Sequence, residues 1–488
     1  MVDILHQSPE SHPSCEESGE ERFPRWLLAV LVCFALAMLT WQAVVCHGMG
    51  SIGDTCTYVS AWQVIKTLHP DMVRPPVYPL ILGICLELFG EWWGKVAVCV
   101  LQWGCWIAGC VLTWRILIYF GISRKIRLWT IIALMLFSGG WVFNNVAQTE
   151  GFATALMPLF IWQTIQYIRG RKSVWIWSAN LTLLFFIFLK PQFICLLPAV
   201  SVAWIYMTRR NRTALLAGLM IPVTALGMIW FYTWTIRRCY CLDNTFSIVT
   251  HWNGYYSMRM AGLIRIDEIE NPEVKERLRP YIELDPGRNL PDHNLYWCEL
   301  WQASVGDLAR VWQHAYSLHT AEANRYMLAR FRTGLSKDIS VCDFTPHPDV
   351  TAADSAWYAL TKTSRSIPPD IVRGKALFQP SQATPGGYLM PLYGIATAPF
   401  WAAWMIIFAF SAMYIGRWIR RKRFPVIAFL ISASVVAGYV TAFLGAYDGW
   451  GRLVTPYTML LFITAAVLFS NVKKSLLKYR QRRAGLLN

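Results

Sequence analysis

The sequence predicts an α-helical polytopic membrane protein with about ten transmembrane helices, amphipathic interface helices and a small extracytoplasmic domain. Of 488 residues, 55% are hydrophobic and only 15% are charged, a composition outside the range of ordinary soluble proteins. Apolar runs of roughly twenty residues, long enough to cross a bilayer, recur towards both ends of the chain. A polar stretch separates the two groups of runs.

The net charge of +16 comes mainly from basic residues between the apolar runs. Residues 237–395 hold 17 basic and 17 acidic side chains, so the surplus lies elsewhere. It is concentrated in short basic clusters: 124–127, 169–172, 209–212, 417–423 and 473–483. Clusters of this kind mark the cytoplasmic side of a membrane protein. They place both termini in the cytoplasm and argue against nucleic acid as a partner.

Taken in order, the apolar runs give ten predicted spans. The first follows an acidic tail, 1–25, and lacks the small-residue cleavage pattern of a secretory signal, so we expect a retained helix. A tight Lys190-Pro191 junction separates the fifth and sixth spans, because this apolar stretch is too long for one crossing. The predicted spans are 26–45, 94–119, 128–146, 151–168, 174–189, 191–207, 213–236, 392–415, 425–446 and 453–470.

Two segments remain on the extracytoplasmic side. The loop 46–93 contains two amphipathic stretches, 54–68 and 77–89, that are too short to span and are predicted to lie at the interface. The segment 237–391 is too long to be structureless and is predicted to form a small domain. The domain order is therefore tail, N-terminal transmembrane module 26–236, extracytoplasmic domain, C-terminal helices 392–470 and basic tail 471–488.

Four cysteines, Cys239, Cys241, Cys298 and Cys342, belong to the predicted external domain. An oxidising compartment would permit pairing among them, and the sequence leaves the connectivity open. No Cys and His spacing matches a zinc signature.

Charged residues on the predicted outer side are few. Outside the tail and the middle domain the only acids are Asp54, Asp71, Glu87, Glu91, Glu150 and Asp448; the bases on the same side are Lys66, Arg74, Lys95, Lys190 and Arg452. Charges at membrane depth need partners or a function. For Lys66, Glu87, Glu91 and Lys95 we favour mutual pairing or anchoring at the headgroups.

Several motifs share this side. Gly-Asp-Thr-Cys-Thr-Tyr at 53–58 is followed by Arg-Pro-Pro-Val-Tyr-Pro-Leu at 74–80 and Leu-Phe-Gly at 88–90. The set resembles the first external loop of bacterial GT-C glycosyltransferases, the relatives of protein O-mannosyltransferases and the lipid A aminoarabinose transferase. Thr149-Glu150, 189–191 and 452–456 match further. The resemblance covers the membrane portion and not the external domain.

The resemblance implies a GT-C-like bundle that moves a sugar from a polyprenyl-phosphate donor to a lipid, glycan or protein acceptor in the cell envelope. It implies that Asp54 is the catalytic base, with Glu150 as a second catalytic residue. Cations beside the departing phosphate would stabilise the transition state, and the candidates are Arg74, Lys190 and Arg452. Tyr58 and Tyr78 are expected to shape the cavity. The implied location is the bacterial inner membrane.

Each assignment has a structural alternative. Asp54 could cap a helix, and Glu150 could complement a helix dipole. Lys190 could extend to the headgroups, and Arg452 could pair with Asp448. No metal is expected to be required, although the family leaves a divalent cation open, because some GT-C enzymes use one. The rival functions are a membrane transporter or flippase and a non-catalytic envelope assembly protein.

Overall fold

The structure, a computed structural model, describes residues 22–45, 58–59, 61–63, 65–68, 74–208, 212–240, 262–282, 305–336, 400–422, 424–445 and 454–483. Within these ranges every regular element is helical. The α-helices are, in order, α1 (Arg25–Val45), α2 (Val77–Tyr119), α3 (Arg124–Leu136), α4 (Thr149–Gly170), α5 (Ser173–Leu189), α6 (Leu197–Thr208), α7 (Arg212–Tyr240), α8 (Pro272–Ile282), α9 (Val305–Leu318), α10 (Thr320–Ser336), α11 (Phe400–Arg421), α12 (Val426–Gly445) and α13 (Thr458–Arg483).

Several of these helices have the length and composition of membrane spans. In the described part of the chain five stretches qualify: Arg25–Val44, Val77–Tyr119, Pro191–Thr208, Trp401–Arg421 and Thr455–Gln481. Three shorter apolar helices accompany them: Ser173–Leu189, Val223–Tyr232 and Val426–Thr441. Apolar helices of this number and length indicate an integral, multi-pass membrane protein.

Helix α2 is two helices joined at a kink. Gly90 has φ 75° and ψ 175°, which is non-helical and favours glycine because a side chain would be strained there. The predicted amphipathic helix 77–89 is therefore a helix that ends at this kink. Two ion pairs lie on either side of Gly90: Lys66 Nζ is 3.2 Å from Glu87, and Lys95 Nζ is 3.3 Å from Glu91. The pairing favoured for these four residues is confirmed.

The predicted span 128–146 is wrong in its extent. Helix α3 ends at Leu136, and two short 3₁₀ helices follow, at Ser138–Gly140 and Val142–Asn145. Two adjacent glycines weaken helix formation at this point, and tertiary contacts hold the irregular backbone. The Trp141 indole donates to the Met135 carbonyl at 2.9 Å, and the Thr455 hydroxyl donates to the Gly139 carbonyl at 3.1 Å. The irregular segment leads directly into α4.

Helix α4 is the centre of the bundle. It contacts α2, α5, α12 and α13, and most of its side chains are buried. A helix that is apolar on every side is expected to be surrounded by other helices. Side chains along α4 therefore pack against protein on several sides.

The predicted external domain is described in part. Helix α7 continues to Tyr240, beyond the predicted boundary at 236. Helix α10 contacts α11 and α12, and the Phe331 ring lies 5.8 Å from the Trp404 ring. The domain boundaries stay a prediction. The side chains of Cys239, Cys241, Cys298 and Cys342 lie outside the part of the chain that the structure describes, so their pairing also stays open.

A glycine in α12 permits close packing and provides a test of the bundle. A methyl group on Gly438 would overlap the ring of Tyr457, which is fully buried and has no room to retreat. We expect Gly438→Ala to destabilise the protein by about 1–3 kcal/mol, the usual effect of overpacking. Gly104→Ala is the matched control, because nothing lies within 4 Å of the added methyl. Thermal unfolding of the purified proteins in detergent checks the prediction, and equal midpoints would contradict this packing.

Candidate active site

A buried ion pair joins two of the predicted site residues. Lys190 Nζ lies 2.7 Å from Glu150 Oε1. The Glu150 side chain is 0% exposed and Lys190 is 8% exposed. The Thr149 hydroxyl donates to Glu150 Oε2 at 3.1 Å, so both carboxylate oxygens accept a hydrogen bond. Charges buried to this degree need such partners.

The α4–α5 hairpin brings these two residues together. The helices are joined by Arg171 and Lys172, and Arg171 adopts the left-handed conformation at the end of α4. Because the connection is short, the helices run antiparallel, and the start of α4 meets the end of α5. Glu150 lies in the first turn of α4, and Lys190 is the extended residue that ends α5. The antiparallel packing of α4 and α5 therefore brings together two residues that lie forty positions apart in the sequence.

A buried glutamine holds the loop that leads to Glu150. Three backbone carbonyl oxygens lie within 3.2 Å of Gln102 Nε2, those of Phe143, Asn144 and Val146. Gln102 Oε1 accepts the Gln148 backbone N–H at 3.3 Å. Gln102 is fully buried, and its side chain would meet any methyl group placed on Gly151. Gln102 thus fixes the irregular backbone immediately before α4.

We expect Gln102→Met to destabilise the protein by about 1–3 kcal/mol, because buried carbonyls would lose their donor while side-chain volume is kept. Gln163→Met is the matched control, since Gln163 is also buried in the bundle. Its partners are the hydroxyls of Ser178 and Thr182, and Thr182 already has a second acceptor at the Ser178 carbonyl. Thermal unfolding should show the larger loss for Gln102→Met. An equal or smaller loss would contradict the clamp.

Two tyrosines and an arginine lie next to this clamp. The Tyr58 and Tyr78 rings lie 4.6 Å apart in an edge-to-face arrangement, and both are buried. The Arg74 guanidinium lies 4.5 Å from the centre of the Tyr58 ring, a cation–π distance. The Tyr78 hydroxyl donates to Gln102 Oε1 at 3.3 Å. A continuous line of contacts therefore runs from Arg74 to the segment that carries Glu150.

Arg74 is also tied to the end of α5. The Tyr232 hydroxyl donates to the Arg74 carbonyl at 3.3 Å, and the Tyr232 ring lies 5.9 Å from that of Phe188. Phe188 precedes Lys190 by two residues. Helix α7 thus links the Arg74 backbone to the segment that positions the lysine.

The structure brings Arg74, Tyr58, Tyr78, Glu150 and Lys190 into one connected region. Asp54 and Arg452 lie outside the described residues, and their roles stay predictions. Sequence reasoning missed Gln102. The sequence feature that could have revealed it is an uncharged amide well inside an apolar span, where a polar side chain needs a partner.

A divalent cation would need several converging oxygen ligands. Among the described residues no group of three or more His, Cys, Asp or Glu side chains comes together. Glu150 is the described acid of this region, and both of its oxygens already accept hydrogen bonds. The described side chains do not by themselves fit a metal.

A scan against protein-family models and a search of curated proteins gave no match. Among solved structures, the chain is similar to the oligosaccharyltransferase AglB from the archaeon Archaeoglobus fulgidus, in complex with an inhibitory peptide and a dolichol-phosphate. The TM-score is 0.44 and the identity 12%, over 95% of this chain and 52% of that one. The chain therefore spans about half the length of AglB.

A second similar structure is ArnT from Cupriavidus metallidurans in the apo state. The TM-score is 0.33 and the identity 13%, over 89% of this chain and 77% of that one. Both similarities extend over most of this chain, at 12% and 13% identity.

Proposed function

We propose that this chain is a membrane glycosyltransferase that moves a sugar from a polyprenyl-phosphate donor to a lipid, glycan or protein acceptor of the cell envelope. The observation that carries the proposal is the buried Glu150–Lys190 pair, which follows the segment that the Gln102 clamp ties to the Arg74–tyrosine group. Charged residues buried at membrane depth are costly and mark functional sites.

The cations suit the departing group. As the bond between the anomeric carbon and the phosphate oxygen breaks, negative charge grows on the polyprenyl phosphate. Lysine carries three donor hydrogens on a compact ammonium, and Glu150 orients that ammonium at 2.7 Å. Arginine offers a planar fork that matches two phosphate oxygens. In this proposal Lys190 and Arg74 bind the phosphate, and Arg452 joins them.

The acceptor side needs a base. The acceptor oxygen or nitrogen attacks the anomeric carbon and gives up a proton, which a carboxylate within hydrogen-bond reach can take. We assign this role to Asp54, and Glu150 supports catalysis by holding Lys190. Tyr58 and Tyr78 form a wall of the cavity. No step requires a metal.

The proposal includes the finer architecture. About ten spans would place the site on the extracytoplasmic side of the bacterial inner membrane, with both termini in the cytoplasm and segment 237–391 helping to select the acceptor. A reporter fused after Arg423 should then be cytoplasmic, and one inserted near Pro286 extracytoplasmic. Finding both reporters on one side would contradict this topology.

Mass spectrometry of lipid-linked sugars, in cells with and without the gene, tests the function. We expect an undischarged polyprenyl-phosphate sugar to accumulate without the gene and one surface glycan, lipid or glycoprotein to lose that sugar. The wild-type gene should reverse both changes, and an Arg74→Gln gene should not.

Lys66→Gln is the matched control for Arg74→Gln, because Lys66 is exposed and pairs only at the surface with Glu87 among the described residues. A gene with this change should complement fully. An unchanged pool of lipid-linked sugars without the gene would reject the transferase. A sugar lipid trapped in the inner leaflet would indicate a flippase.

A further inference from the structure

Two arginine side chains contact one indole towards the end of the bundle opposite Glu150. The Arg115 guanidinium lies 5.6 Å from the centre of the Trp162 ring, and that of Arg169 lies 5.9 Å from it. Arg169 also lies 5.6 Å from the centre of the Tyr119 ring. These four residues, which we call the Trp162 cluster, come from α2 and α4. Both arginines are exposed and Trp162 is half-buried.

The cluster lies one membrane thickness from the candidate active site. Glu150 is in the first turn of α4 and Arg169 is in its last turn. At about 1.5 Å of rise per residue the two lie roughly 28 Å apart along the helix, close to the ~30 Å of bilayer hydrocarbon. If the Glu150 end is at one headgroup layer, Arg169 is at the other, and Trp162, which precedes it in the same helix, lies about 10 Å deeper. Tryptophan, tyrosine and arginine are typical of that level.

The cluster collects positive charge, and no described acidic side chain pairs with either of its arginines. In the ranges that the structure describes, the acids lie at the Glu150 end of the bundle or within 262–336. Neither Arg115 nor Arg169 forms an ion pair with a described residue. Arg417 borders the same region, because its guanidinium lies 5.1 Å from the Tyr414 ring, which contacts Phe120. Cations that contact one ring repel each other, and an anion bound beside them offsets that repulsion.

We propose that the Trp162 cluster binds the phosphate of an anionic glycerophospholipid in the leaflet opposite the Glu150–Lys190 site. Two guanidinium groups offer paired donors to phosphate oxygens. The indole that both arginines contact offers apolar surface to the glycerol and upper acyl region of the same molecule. Basic pockets between transmembrane helices on the cytoplasmic side bind anionic headgroups in this way. The site does not depend on the proposed transferase reaction.

Native mass spectrometry of the full-length purified protein tests the site. Phosphatidylglycerol is titrated against phosphatidylcholine, and the lipid retained on each variant is measured. The variant Arg115→Gln/Arg169→Gln should retain phosphatidylglycerol about 10-fold more weakly than wild type or worse, because each arginine loses a charge-assisted hydrogen bond to the phosphate. Binding of phosphatidylcholine should not change.

The matched control is Arg420→Gln/Arg421→Gln, which removes the same charge from exposed residues at the end of α11. It should bind phosphatidylglycerol within about twofold of wild type, because hydrogen bonds to the phosphate depend on contact and not on net charge. Trp162→Leu keeps both charges and should weaken retention severalfold. Equal losses in the two double variants would overturn the proposal in favour of diffuse attraction, as would full retention in Arg115→Gln/Arg169→Gln.

The acidic tail of this chain is the competing occupant, since Glu16, Glu17, Glu20 and Glu21 are predicted to lie on the same side of the membrane. Changing these four residues to glutamine should leave phosphatidylglycerol retention unchanged. If the wild-type protein retains no phosphatidylglycerol and this variant retains it, the tail fills the site and the lipid proposal is overturned. Thermal unfolding confirms that each variant is folded.

Discussion

Lys190→Met is expected to lower the free energy of unfolding by about 3–5 kcal/mol, because it leaves Glu150 charged, buried and without its cation. The carboxylate is fully buried and Lys190 Nζ lies 2.7 Å from it. If Lys190 only contacted the donor phosphate, the same substitution would leave folding intact. Thermal unfolding of the purified protein measures the effect.

The double variant Glu150→Leu/Lys190→Met separates stability from catalysis. With no buried charge left, most of the lost stability should return, whereas sugar transfer should stay abolished because the phosphate has lost a cation. Recovery of both properties would show that the pair is only structural.

Lys95→Met is the control for the single variant. Its partner Glu91 lies 3.3 Å away and is more exposed than Glu150, so the loss should stay below about 1 kcal/mol. If Lys190→Met is as stable as wild type, the Glu150–Lys190 ion pair does not form in the membrane.

Asp54→Asn is expected to reduce sugar transfer by roughly 10²-fold or more, the scale of general-base catalysis, because the amide cannot take a proton. Asparagine caps a helix about as well as aspartate, so expression and thermal stability should stay close to wild type. The measurement is transfer from a polyprenyl-phosphate sugar by purified protein, with kcat and KM for the donor determined separately. The loss should appear in kcat.

Asp71→Asn provides the matched control for Asp54→Asn. It makes the same chemical change in the same predicted external loop, and it lies outside the motifs that resemble the family. Its turnover should be within about twofold of wild type, the range expected when a residue takes no part in proton transfer. Near-wild-type turnover of Asp54→Asn would remove Asp54 from the mechanism, and equal losses in both variants would point to a general disturbance of the loop.

Particular elements show how far sequence patterns reach. Apolar length predicted α1 and α5 almost to the residue, since a run of twenty apolar residues has few alternatives to a helix in a membrane. The same criterion failed at 128–146, where the backbone leaves the helix after Leu136. Composition there is as apolar as in a span, and the turns depend on bonds from Trp141 and Thr455. A prediction from a short stretch of sequence does not include a partner as distant as Thr455.

The sequence by itself determined that this is a multi-pass helical membrane protein and that its charges concentrate at the ends of the helices. These properties follow from composition and from the order of residues along the chain. Only the tertiary structure decided that Glu150 and Lys190 form one buried pair, that Gln102 clamps the loop before them, and that Arg115 and Arg169 meet at Trp162. The physical reason is that each of these contacts joins helices far apart in sequence, and their partners are chosen by how antiparallel helices pack.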